Sequence, residues 1–144
     1  MLVQQILKSK GDDGVVTVAP DASVAQAVEM LSTRRIGALV VSTDGKHMQG
    51  IVSERDIVRE LGRRGPACLA DRVDQIMTVK IVCCGRDETA RDVLQHMTDG
   101  RFRHMPVVEG GEMVGLISIG DAVKARLAEL SMENEALEGM IKGF

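Results

Sequence analysis

Two short segments of the chain place a hydroxyl and a carboxylate three residues apart, just after an apolar strand-like run: Ser53-Glu54-Arg55-Asp56 and Ser118-Ile119-Gly120-Asp121. The plainest reading is a capping box with Asp in place of Glu or Gln. The hydroxyl accepts the N–H three residues on, and the carboxylate reaches back to the N–H of the serine. The same geometry can also serve a ligand. A helix N-terminus offers unpaired N–H groups and the positive end of a dipole, both suited to phosphate. A carboxylate in the first turn can accept both hydroxyls of a ribose. Arg103-His104 precedes an apolar run and adds cationic chemistry. Arg grips phosphate through two parallel N–H groups and His supplies another donor, although a solvated basic loop is the plainer alternative.

Other residue types argue against other chemistries. The three histidines, His47, His96 and His104, lack metal-ligand spacing, and the three cysteines, Cys68, Cys83 and Cys84, form no Cys-x-x-Cys pair. Cys83 and Cys84 are adjacent in a strand-like run, so they should point to opposite faces and act as small apolar fillers. There is no Walker or GxGxxG loop and no nucleophile–base–acid set, so the expectation is not an enzyme. A net charge of −3 gives no global reason to expect nucleic-acid binding. The N-terminus lacks the pattern of a signal peptide, and no apolar run is long enough to span a bilayer. A reduced, cytoplasmic protein with no membrane association is expected.

The elements that must position these groups come in a repeat. Shifted by about 65 residues, the chain matches itself. Val15–Asp21 lies over Ile81–Asp87, Ile36–Val41 over Phe102–Val107, and Gly50–Val58 over Gly115–Val123. The lead-in Val3–Leu7 lies over Val73–Met77, which makes Lys10 and Lys80 equivalent. Surface placement is the ordinary fate of such lysines; a phosphate-facing role is the alternative.

Each repeat predicts the order β-α-β-β-α. Strands are expected at Val15–Val18 and Ile81–Cys84, followed by helices capped by Ser23 and Thr89. Val24, Ala27, Val28 and Leu31 share one helical face, as do Ala90, Val93, Leu94 and Met97. Hairpins follow, with strands Leu39–Ser42 and Met48–Val52, then Met105–Val108 and Met113–Ile117. Second helices start at Ser53 and Ser118. The core must be built from aliphatic side chains, because Phe102 and Phe144 are the only aromatics. Neither repeat alone has a comfortable core.

The repeat order and its signatures, Gly-Ile-Val-Ser-Glu-Arg-Asp at Gly50–Asp56 and Gly-Leu-Ile-Ser-Ile-Gly-Asp at Gly115–Asp121, resemble the CBS domain, named after cystathionine β-synthase. Arg103-His104-Met105-Pro106-Val107-Val108 is similar to that family's middle strand. Repeat one departs from it at Gly37-Ala38 and at Val40, the counterpart of Pro106.

The resemblance implies an α/β (α+β) fold: tandem CBS repeats with pseudo-twofold symmetry and clefts between them, plus a C-terminal helix. It divides the chain into residues 1–70 (repeat one with its lead-in), 71–127 (repeat two) and a helical tail, 128–144. It also implies a free-standing regulatory module that senses AMP, ADP or ATP, with NAD(H) or S-adenosylmethionine permitted, and signals to a regulated partner. No catalytic cofactor is implied. The alternative is a purely structural dimerisation or interaction module.

On this resemblance Asp56 and Asp121 would hold ribose, with Ser53 and Ser118 near sugar or phosphate. Arg103 and His104 would clamp phosphate, and the backbone at Ile36-Gly37 would meet the adenine edge between apolar walls from Ile36 and Phe102. Lys10, Ala38, Arg55, Thr78, Lys80, Ile81 and Pro106 complete the candidate nucleotide-binding set. The two sites would be unequal, since Gly37-Ala38 faces Arg103-His104 and Arg55 faces Gly120 in the alignment.

The resemblance also implies a homodimer. The tail gives a separate reason: Leu127, Leu130, Asn134, Leu137 and Ile141 follow spacings of three and four, an a/d heptad seam with Asn134 at an a position. Folding of that stripe back onto its own subunit is the alternative.

Overall fold

The computed structural model describes residues 1–11 and 14–141. Its elements are α1 (Val3–Lys10), β1 (Thr17–Val18), α2 (Val24–Arg34), β2 (Ala38–Val41), β3 (Gly50–Ser53), α3 (Glu54–Arg64), α4 (Ala90–Gly100), β4 (His104–Glu109), β5 (Glu112–Ser118) and α5 (Ile119–Ile141). Single turns of 3₁₀ helix occupy Pro66–Ala70 and Val73–Gln75.

The local signals act as the side chains require. Ser23 caps α2 by accepting from Gln26 N, and Thr89 caps α4 by accepting from Asp92 N. Both helices end on a left-handed residue, Arg35 (φ 54°) and Arg101 (φ 56°), whose N–H returns to Leu31 or Met97. Val24, Ala27 and Leu31 are buried on α2, and Ala90, Val93 and Met97 on α4.

The chain forms two compact units that do not follow sequence order. One contains Gly14–Ile81 with Glu109–Val114; the other contains the N-terminal segment, Val82–Val108 and the chain from Gly115 onward. Each lead-in therefore packs with the body of the other repeat, where a division at residues 70 and 71 would keep it with its own. The hydrogen bonds that dock the two lead-ins correspond one to one. In the first unit Val24 N donates to Asp71 O (2.8 Å), Val73 N to Ala22 O (2.8 Å) and Asp74 N to Pro20 O (3.2 Å). In the second, Ala90 N donates to Met1 O (2.9 Å), Val3 N to Glu88 O (2.8 Å) and Gln4 N to Arg86 O (3.0 Å). Each lead-in thus satisfies N–H groups at the start of a helix, groups that a helix cannot satisfy itself.

In the first unit β2 lies between β1, parallel, and β3, antiparallel. The register sets Ala38 beside Ser53 and Val41 beside Gly50. Val18, Leu31, Leu39, Val41, Val52, Ile57 and Val73 form its core. β4 and β5 form a two-stranded sheet, and in the second unit Met97, Met105, Val107 and Ile117 are fully or almost fully buried.

The strand expected at Ile81–Cys84 is not formed. Among the described residues only Cys84 pairs, as one parallel bridge with Val107, while Val82 stays exposed. Without a second buried side chain to anchor it, the ladder stops after one bridge. The first strand is likewise shorter than Val15–Val18.

Candidate functional site

Both Ser-x-x-Asp segments are capping boxes. In the first unit Ser53 Oγ accepts Asp56 N (3.3 Å), and Asp56 Oδ2 accepts Ser53 N (2.9 Å). In the second, Ser118 Oγ accepts Asp121 N (3.1 Å), and Asp121 Oδ2 accepts Ser118 N (2.9 Å).

The loop before each middle strand is tied to the same helix start. Glu54 N donates to Gly37 O (3.0 Å), and Ile119 N donates to Arg103 O (2.8 Å). The loop itself is positioned by the left-handed cap upstream: Ile36 N returns to Leu31 O and Phe102 N to Met97 O, each at 3.2 Å. Ile36 and Phe102 are consequently both half-buried. Sequence-distant pieces thus converge in each unit: Ile36, Gly37 and Ala38 with Ser53 and Asp56, and Phe102, Arg103 and His104 with Ser118 and Asp121.

The lead-ins complete the two groups differently. Lys10, at the end of α1, donates from Nζ to Asp121 Oδ2 (2.7 Å) and to Leu116 O (2.8 Å). Burial by itself would raise the Asp121 carboxyl, but the bonds and charge of Lys10 and the bonds from Ser118 hold it below its ordinary range. In the first unit the residue that reaches the carboxylate is Thr78, whose Oγ1 lies 3.5 Å from Asp56 Oδ1. Thr78 is fixed by paired backbone bonds with Ile51, at 2.8 and 2.9 Å. Lys80, the counterpart of Lys10, is exposed and makes no side-chain hydrogen bond or ion pair among the described residues, and Ile81 beside it is half-buried.

Arg59 is a member that the repeat alignment does not single out. Its Nη2 donates to Asp56 Oδ1 (2.6 Å), an i,i+3 pair visible in sequence only as Asp-x-x-Arg. Asp56 is 6% exposed and has bonds on both oxygens. Asp121 is half-buried, and its Oδ1 carries no hydrogen bond among the described residues. Arg103 is exposed, as is Arg55, and neither side chain forms an ion pair or hydrogen bond among the described residues. His104 is half-buried and Pro106 buried in β4.

Cys83 and Cys84 are poorly placed to form reactive thiolates. Burial pushes the Cys84 thiol up to about 12, helped by Glu88 and Cys83, and burial raises Cys83 as well. Among the described residues no group of His, Cys, Asp and Glu could hold a metal ion, and no helix is long and apolar enough to cross a membrane.

The family profile described as CBS domain matches the chain twice, at residues 11–63 and 73–128. The chain belongs to the CBS domain family. It is similar to a CBS-domain containing protein from Agrobacterium tumefaciens, with 44% identity and a TM-score of 0.83 over 88% of this chain and 99% of that one. It is 33% identical to the mitochondrial CBS domain-containing protein CBSX3 of Arabidopsis thaliana, over 98% of this chain and 72% of the relative. A CBS domain protein from Pyrobaculum aerophilum, solved in complex with AMP, is 25% identical with a TM-score of 0.74, over 84% of this chain and 89% of that one. The CBS pair and its tandem α/β fold are therefore established for this chain.

Proposed function

We propose that this CBS pair is a regulatory module that binds an adenine nucleotide, AMP first among the candidates, and transmits its bound state to a partner protein. The observation that carries the reading is the arrangement at Asp121. Its Oδ2 is held by Ser118 and Lys10, while Oδ1, in the first turn of α5, has no hydrogen-bond partner among the described residues. That oxygen is placed to accept a ribose hydroxyl, with the N-terminus of α5 and Lys10 supplying positive potential for phosphate. Arg103 stands on the loop whose carbonyl meets Ile119 N, and its guanidinium, which is exposed and makes no bond among the described residues, supplies the bidentate phosphate contact. Phe102 offers an apolar wall for a base. The AMP complex of the Pyrobaculum relative supports the ligand class. ADP, ATP and NAD(H) share the adenosine portion and are tested alongside. The ligand acts by favouring one conformation of the module over another, which a partner reads. A cytoplasmic setting suits the free thiols Cys68, Cys83 and Cys84.

At Asp56 a second reading has its own support. That carboxylate is buried and already bonded to Ser53 and Arg59, as a purely structural capping group would be. Nucleotide occupancy is therefore proposed for the Asp121 group first. Titration calorimetry of the whole chain with AMP, ADP, ATP, NAD(H) and adenosine tests the reading. Saturable AMP binding that is weakened by Asp121→Ala is expected. The absence of binding by any of these ligands at millimolar concentration would reject nucleotide sensing and leave the structural module.

A further inference from the structure

α5 outruns the body that holds its start. Ala122 and Ala125 are buried near its N-terminus, and Arg126 Nη1 donates to Glu129 Oε2 at 2.8 Å. The helix continues unbroken to Ile141, yet over residues 130–141 every residue except Gly139 is exposed. That stretch is about 18 Å of helix. It still carries an apolar seam: Leu127 is 62% exposed, Leu130 41%, Leu137 56% and Ile141 84%, all on one face with Asn134. A helical segment this short is marginal in water without packing, and its own unit supplies none to the seam. Exposed apolar residues in one continuous row mark an interaction surface.

The charges around the seam indicate what covers it. Residues 130–141 hold Glu133, Glu135 and Glu138 and no basic residue, and none of the three forms an ion pair among the described residues. Lys142, the next basic residue, lies outside the described residues. The earlier basic side chains do not serve this stretch: Arg126 is engaged by Glu129, and Lys124 precedes it by more than a turn. With the seam as a and d positions and Asn134 at a, Glu133 falls at g and Glu138 at e, the positions whose charge selects a partner helix. Glu135 and Glu138 stand three residues apart and repel each other. A helix with Lys or Arg at its own flanking positions covers the leucines and neutralises these carboxylates at once. A second copy of the same stretch adds only more negative charge, and an anionic lipid surface is repelled for the same reason.

We propose that residues 127–141 are the docking surface for a basic amphipathic helix of another protein. Its apolar side chains, at spacings of three and four, seat on the seam, and its Lys or Arg residues pair with Glu133 and Glu138. α5 carries Asp121 in its first turn, so one continuous helix joins the candidate ribose carboxylate to this surface. Only the partner's regulatory role rests on the nucleotide reading; docking is measured without nucleotide, so the two can fail separately.

Fluorescence anisotropy of two labelled peptides, each of about three heptads with Leu at a and d, tests the docking on the full chain. One peptide carries Lys at e and g, the other Glu. The lysine peptide should bind with a micromolar dissociation constant, weakened roughly fivefold or more as salt rises from about 0.05 to 0.5 M. The glutamate peptide should bind at least roughly tenfold more weakly. Glu133→Lys with Glu138→Lys should reverse the preference. Glu29→Lys with Asp99→Lys, which changes the net charge equally on α2 and α4, should retain it. Leu130→Ser with Leu137→Ser should weaken the lysine peptide about tenfold, with circular dichroism confirming that the body stays folded. Equal affinity for both peptides would overturn the proposal, as would an effect of the Glu29 and Asp99 changes as large as that of the tail pair. So would binding that survives the loss of both leucines, or uptake by neutral phosphatidylcholine vesicles without binding of the lysine peptide.

Discussion

Replacing Gly115 with alanine tests how the lead-in is held against the site. A methyl group on Gly115 would lie 2.5 Å from Leu7 Cδ2, 3.0 Å from Cδ1 and 3.3 Å from Cγ. The whole branched end of Leu7 blocks it, and no single rotation of a terminal atom relieves the contact. Overpacking of this kind costs about 1–3 kcal/mol. For a chain of this size that lowers the melting temperature by about 2–4 °C per kcal/mol. Leu7 lies on α1, one turn before Lys10, so the same displacement pulls Lys10 away from Asp121 and Leu116. Leu7→Ala alone leaves a half-buried gap and costs about 1–2 kcal/mol. The double variant gives the new methyl the vacated space, and it should recover about 1 kcal/mol or more relative to the sum of the single changes. Gly50 supplies a built-in comparison. There the intruding methyl meets the flexible end of Met77, with Cγ at 2.8 Å, but also the Thr78 carbonyl oxygen at 3.0 Å. Met77→Ala should therefore rescue Gly50→Ala only in part, because the backbone remains. Urea denaturation of the six variants measures all of these. Additive costs within about 0.5 kcal/mol at Gly115 would refute the proposed packing.

Asp121→Ala should weaken AMP binding by about 1.5–3 kcal/mol, the range for a charge-assisted hydrogen bond, and unchanged affinity by calorimetry would remove Asp121 from the site. Arg103→Ala should weaken AMP binding while leaving adenosine nearly unaffected; equal losses for both ligands would make Arg103 structural. The lowered carboxyl of Asp121 adds stability that is present above about pH 4, the unfolded value, and is lost as pH falls through the lower folded value. Lys10→Met should remove much of that acid-limb dependence in denaturation curves taken between about pH 2 and 5, and an unchanged curve would refute the coupling. Cys83 and Cys84 should react slowly with alkylating reagents at about pH 8 in the folded chain, since burial raises both thiols, and labelling at the rate of an unfolded control would contradict this.

The amino-acid sequence by itself determined the features that depend on neighbours a few residues apart. Ser23, Thr89, Ser53 and Ser118 cap their helices because a hydroxyl and an N–H three residues on meet through local geometry alone. The helix faces of α2 and α4 follow from spacing, and the helix-strand-strand-helix order common to both repeats follows from two copies of one pattern, with the strand that opens it formed only in repeat one. The seam on α5 was legible for the same reason. Tertiary structure decided which body each lead-in joins, because the N–H groups of a helix start can be satisfied by any strand that reaches them, and sequence proximity does not rank the candidates. It decided that Lys10 closes on Asp121 while Thr78, and not Lys80, approaches Asp56; the bridge with Ile51 sets the phase of that lead-in. It reduced Ile81–Cys84 to a single bridge, since a strand needs a partner along its length and only Cys84 has one. It also left the tail seam uncovered, an outcome of distant packing that a heptad pattern cannot encode.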